Sequence, residues 1–179
     1  VRPRVSGYTG GRKMIHQTDK ELGPYINKWG CFLISILRLV EKNGTGYTFR
    51  AHDILKIYEN AMRHELVSRE VKDSDGIPKD GCTILEQRGL YNMAAEMYGF
   101  NTRCLNYYWR PADYQKQTGE DEILELKRSG AKGSHFVTGN GSFGVPVLNR
   151  IEFDPIAGGS VTARRGWIES IRIFQTRLV

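Results

Sequence analysis

The stretch CFLISILRLVEK, residues 31 to 42, is apolar on nearly every face of a helix. A helix without a polar side must be covered all round, so the rest of the chain has to wrap it as a central buried element. Asn43-Gly44 supplies the stop. One of only three cysteines, Cys31, heads this run directly after Trp29 and Gly30. A thiol there has two readings. It can be a small apolar residue of the core, or a nucleophile at a helix N-terminus, where the dipole and a neighbouring imidazolium would favour the reactive thiolate.

The flanking segments set the fold class. HQTDKELGPYINKWG, residues 16 to 30, is polar and broken by Gly23-Pro24, which predicts a surface loop leading into Cys31. AHDILKIYENAMRHELV places Ile54, Leu55, Ile57, Tyr58, Ala61, Met62 and Leu66 on a helical stripe, a second helix. TILEQRGLYNMAAEMYGF opens with Thr83 and Glu86 at capping-box spacing and closes at Gly99, a third helix. Beyond it, TRCLNYYW, SHFVTGN, VLNRIEF and SIRIFQT read as strands, with EDEILELKRSG as a short helix between the first two. Helices followed by strands predict an α+β fold, a helical half packed on a C-terminal antiparallel sheet. Residues 14–179 read as a single domain, without internal repeat or linker. Residues 1–13, with Arg2, Arg4, Arg12 and Lys13 and no acid, read as a basic flexible arm.

Composition narrows the function classes. With 179 residues and 40% hydrophobic content the chain can bury one sizeable core and reads as a soluble globular protein. Its apolar runs fall short of the about 20 residues that cross a bilayer, so membrane insertion is not expected. The net charge of +6 draws polyanions, but 20 acidic residues are interspersed with the 26 basic ones, and nucleic acid is disfavoured as a partner. Three cysteines without a C-x-x-C argue against a disulfide framework and a cysteine-rich zinc site. His16, His52 and His64 have no partner at ligand spacing. KDSDGIPKDGC resembles part of a calcium loop through Asp73, Asp75 and Gly76, but its twelfth position is Cys82 and the ligand set fails. No metal or cofactor is expected.

The chemistry-bearing residues are Cys31, His135 and Asp154. GSHFVTGNG puts His135 at the start of a strand, and RIEFDP ends a later strand at Asp154, nineteen residues on. If those strands are neighbours, imidazole and carboxylate can meet at one sheet edge. A thiol facing an imidazole oriented by an acid is what nucleophilic catalysis requires. Cys82 is a rival nucleophile just ahead of a helix, opposed by the like charge of Asp80. Cys104 falls in a strand pattern and reads as core.

Gly-Cys opening a hydrophobic central helix, then a histidine at a strand start, then FDP and DPIAGGS after the next strand, resembles the papain-like cysteine peptidase superfamily. The likeness is to its compact bacteriocin-processing branch in bacteria and phages, and it is one of layout, over roughly residues 15 to 175. The resemblance implies Cys31 as nucleophile, His135 as general base and Asp154 as the orienting acid. It also implies an oxyanion donor, commonly a glutamine six residues before the cysteine. That position is Tyr25 here; Gln17, fourteen residues before Cys31, is the substitute and Asn27 the fallback. The implied activity is hydrolysis of a peptide or isopeptide amide bond, in a leader peptide or in peptidoglycan as by a phage endolysin. The setting it implies is soluble, cytoplasmic or phage-released. The alternative is a catalytically inactive papain-like binding or inhibitor protein.

Overall fold

The computed structural model describes residues 14–44, 46–72, 75 and 78–179. The predicted basic arm, residues 1–13, and Asp73 and Gly76 of the calcium-like segment lie outside them.

The central helix is α2, Cys31–Asn43, which buries Leu33, Ile34, Ile36, Leu37, Leu39 and Val40. The segment before it is not the expected loop. A 3-10 turn, Lys20–Leu22, leads into α1, Gly23–Trp29, with Pro24 at its start. Proline is tolerated there because the first helical N–H groups have no intrahelical acceptor, so the Gly23-Pro24 signal marks a helix start rather than a loop. Gly30 joins the two helices: its N–H bonds the Ile26 carbonyl at 2.8 Å, and its own carbonyl takes the Ile34 N–H at 2.9 Å. A Cβ at Gly30 would stand 2.6 Å from the Ile26 carbonyl oxygen, so this junction requires glycine.

Helix α3, Ala51–Arg63, follows the predicted stripe. Asp53 secures its start by accepting from the Arg50 N–H and the hydroxyls of Tyr47 and Tyr98, at 2.8, 2.8 and 3.0 Å. A two-stranded antiparallel hairpin comes next, β1 (Val67–Lys72) and β2 (Pro78–Ile84). Thr83 therefore lies in a strand, and α4, Gln87–Met97, has Glu86 as its N-cap rather than the expected Thr83 capping box. The Thr83 hydroxyl instead donates to the Glu70 carbonyl across the hairpin at 2.8 Å.

The remainder is a five-stranded antiparallel sheet in the order β3-β7-β4-β5-β6, from β3 (Thr102–Pro111), β4 (Glu120–Lys127), β5 (His135–Gly139), β6 (Ile151–Phe153) and β7 (Trp167–Leu178). Two short helices, α5 (Val147–Arg150) and α6 (Val161–Arg165), flank β6, so VLNRIEF is half helix and half strand. The protein is thus mixed α+β, as its order of patterns predicts. One sheet face contributes Ile123 and Phe174 to the helical core around α2. The opposite face packs Leu124, Leu126, Val137, Ile171 and Ile173 against Ala163 of α6.

EDEILELK, expected as a helix, is β4, paired with β5 on one side and β7 on the other. Both faces of this strand are covered, which erases the alternation that marks a half-exposed strand. Its two inner glutamates mislead because each is neutralised from elsewhere: Glu122 by Arg150, Glu125 by Arg172. Among the described residues no helix is long and apolar enough to cross a membrane.

Candidate active site

Cys31 is half-buried at the first residue of α2. Helix α2 lies on β5 and is stitched to it beside Cys31 and His135. The buried Ser35 hydroxyl donates to the Phe136 carbonyl at 3.1 Å, and the Phe32 and Phe136 rings stack with centroids 4.4 Å apart. These contacts flank Cys31 on the helix and His135 on the strand. They hold the two backbones in register.

His135 opens β5, and Asp154 directly follows β6. The antiparallel register Thr138↔Phe153 and Gly139↔Ile151 brings the start of one strand to the end of the other. His135 Nε2 lies 2.7 Å from Asp154 Oδ1, both side chains nearly closed to solvent. A carboxylate can only accept, so Nε2 carries the proton and Nδ1 is left to the thiol. The carboxylate is fixed in turn. Oδ1 also accepts the Ile156 N–H at 2.9 Å, and Oδ2 accepts the Ser160 N–H at 2.9 Å. Ser160 caps α6 by accepting the Ala163 N–H at 3.0 Å, so that helix anchors the loop holding the acid.

Burial of the imidazole works against its charge and is the largest single influence on it. The hydrogen bonds and charges of Asp154 and Cys31 together outweigh burial and lift His135 from 6.5 to about 9. Burial would likewise raise Asp154, but the imidazolium and the two backbone N–H groups hold it at about 2. The site thus pairs an anionic acid with a cationic imidazole that interacts with the Cys31 sulfur. Cys82 is buried in β2, and burial first, then the nearby Cys31 sulfur, pushes its thiol up to about 12. It is an unreactive neutral thiol at ordinary pH. Cys104 is closed inside β3, raised to about 11 chiefly by burial.

Of the three oxyanion candidates, Gln17 is tied to the residue after the acid: its backbone N–H bonds the carbonyl of Pro155 at 2.8 Å. Its side chain is buried, and Nε2 donates to the Asn27 carbonyl at 3.0 Å. In an unbroken helix that carbonyl would serve the N–H of Cys31, four residues on. Asn27 holds the loop in place with both of its amide hydrogens, one to the Gln17 carbonyl at 2.6 Å and one to the Asp19 carbonyl at 2.8 Å. An amide has two such hydrogens, so Asn27 keeps none to donate elsewhere, whereas Gln17 keeps one. Tyr25 lies under the guanidinium of Arg69, 5.0 Å from its ring centre.

A cleft of about 290 Å³ lined by Arg38, Lys42, Glu152 and Phe153 contains none of these groups. Its cations are already paired, Arg38 with Glu41 and Lys42 with Asp121 and Glu152. Among the described residues no three His, Cys, Asp or Glu side chains converge as a metal-holding set. Sequence reasoning missed Ser35 and Ser160. A serine inside an apolar helical run and one just ahead of a short helix were the available signals, and neither names its partner. Comparison with protein-family models, with curated proteins and with solved structures finds no match, so only the chain's own residues bear on what the site does.

Proposed function

We propose that the protein is a papain-like cysteine hydrolase that cleaves a peptide or isopeptide amide bond, such as those of a leader peptide or a peptidoglycan stem. The observation that carries this reading is the 2.7 Å bond between Asp154 and His135, with the Cys31 sulfur near enough to the imidazole to raise its pKa, the three residues coming from separate parts of the fold. Three side chains placed only for packing have no need of that order. The Cys31 sulfur attacks the carbonyl carbon and forms a C–S bond as the carbonyl π electrons move onto oxygen. The imidazolium gives its Nδ1 proton to the leaving amine as the C–N bond breaks, yielding a thioester. Neutral His135 then takes a proton from water, whose oxygen attacks the thioester and releases the acid with Cys31 restored. Asp154 keeps the proton on Nε2 throughout. The remaining Gln17 amide hydrogen is the proposed second donor to the oxyanion, beside the Cys31 N–H.

The test is a panel of peptide and purified peptidoglycan substrates with wild type, Cys31→Ala and Cys82→Ala, together with iodoacetamide labelling at neutral pH. Cys31 should label well before Cys82 and Cys104, and only Cys31→Ala should abolish cleavage. Fast Cys31 labelling without cleavage of any substrate would favour the inactive binding protein. Activity surviving in Cys31→Ala would refute the nucleophile.

A further inference from the structure

A second cluster lies on α4, β3 and β7. The strands pair with Arg103 directly opposite Arg177. Residues so paired share a sheet face with Cβ atoms about 5 Å apart, and like charges in that position repel. Arg88, in the first turn of α4, joins them with its NH1 donating to the Leu105 carbonyl at 3.2 Å. The three arginines line one cleft of about 360 Å³, together with Asn92 and a single carboxylate residue, Glu86. Asn92 is held in place by bonding both the N–H and the carbonyl of Cys104, at 2.8 and 3.1 Å.

Elsewhere Arg38, Arg150 and Arg172 each pair with a glutamate. Among the described residues Arg88, Arg103 and Arg177 have no such ion pair. Like charges brought together across a strand pair, with a third cation held over the same opening, form an arrangement that an anion would stabilise. The chemistry selects among anions. A carboxylate has two oxygens and one charge, enough for one planar guanidinium fork. A phosphate has a tetrahedral set of oxygens and close to two charges, enough to bridge several forks at once. We propose that this cleft binds a phosphate group through Arg88, Arg103 and Arg177. The proposal is independent of the hydrolase reading, because none of these residues belongs to the Cys31 site.

The experiment measures binding of orthophosphate and of polyphosphate by calorimetry, with acetate and chloride at matched ionic strength as comparisons. Wild type is set beside Arg103→Gln/Arg177→Gln and beside Lys132→Gln/Arg165→Gln, which removes the same charge from other exposed positions. Wild type should bind phosphate saturably, the first double variant about tenfold or more weakly, and the second like wild type. Tighter binding of polyphosphate per phosphate assigns the group to a polymer, and equal binding assigns it to the free ion. Equal weakening in both double variants, or equal response to acetate and phosphate, overturns the site. Iodoacetamide labelling of Cys31 should be the same in all three proteins, which separates this result from any failure of the hydrolase reading.

Discussion

Asp154→Asn keeps the side chain's volume but removes its charge and one acceptor oxygen. In the wild type Oδ1 serves both His135 Nε2 and the Ile156 N–H, while Oδ2 serves the Ser160 N–H alone. An asparagine with its NH2 in place of Oδ2 confronts one donor; with its NH2 in place of Oδ1 it confronts two. The first orientation costs less. His135 then keeps an acceptor for Nε2–H, and the tautomer that offers Nδ1 to Cys31 survives. What disappears is the anion beside a buried imidazole, so burial should pull the imidazole back from about 9 toward its ordinary 6.5.

The rise from 6.5 to about 9 corresponds to about 3 kcal/mol at 1.36 kcal/mol per pH unit, the surplus of Asp154 and Cys31 over the opposing burial. The stranded Ser160 N–H costs a further about 1–3 kcal/mol. Because the folded pKa of His135 lies above the unfolded one, its contribution is complete below about 6.5 and fades as pH climbs through about 9. Asp154 has a folded pKa below its unfolded 3.8, so its contribution is complete above 3.8 and fades as pH falls through about 2. The stability gap between wild type and variant should therefore be widest between 3.8 and 6.5 and shrink toward pH 9, leaving only the Ser160 part. Imidazole NMR titration and urea unfolding across that range measure both effects. Turnover should drop by about 10- to 1000-fold, less than in His135→Ala, which removes the acid–base group altogether. An imidazole still titrating near 9 in the variant, or equal loss of turnover in the two variants, would refute the reasoning.

Gln17→Ala should lower turnover by about 100- to 1000-fold while leaving Cys31 labelling intact, since an oxyanion donor acts on the transition state rather than on the thiol. Tyr25→Phe should leave turnover unchanged, and a loss there with full activity in Gln17→Ala would move the donor to Tyr25. Ser35→Ala removes the hydroxyl's bond to the Phe136 carbonyl and should destabilise by about 0.5–1.5 kcal/mol, read as a lower urea midpoint at unchanged slope. An unaltered midpoint would mean the bond between helix and strand is idle.

Local pattern alone determined that residues 31 to 42 form a buried helix headed by a thiol, because a helix apolar on every face has no other stable place. The α+β order was legible for the same reason, as were the residue types of the candidate triad. What local pattern could not contain was compensation from a distance. The strand identity of β4 depends on Arg150 and Arg172 neutralising glutamates 28 and 47 positions away. The segment before Cys31 became a helix once Gly30 could pack against the Ile26 carbonyl. Residue identity made His135 and Asp154 candidates, but their 2.7 Å contact comes from the register of β5 on β6. Sequence leaves that register open, since strand pairing is settled by which faces the whole sheet buries. Composition likewise leaves Gln17, Tyr25 and Asn27 open. All three can donate by composition, and only the packed loop revealed that both Asn27 hydrogens are already committed to backbone carbonyls.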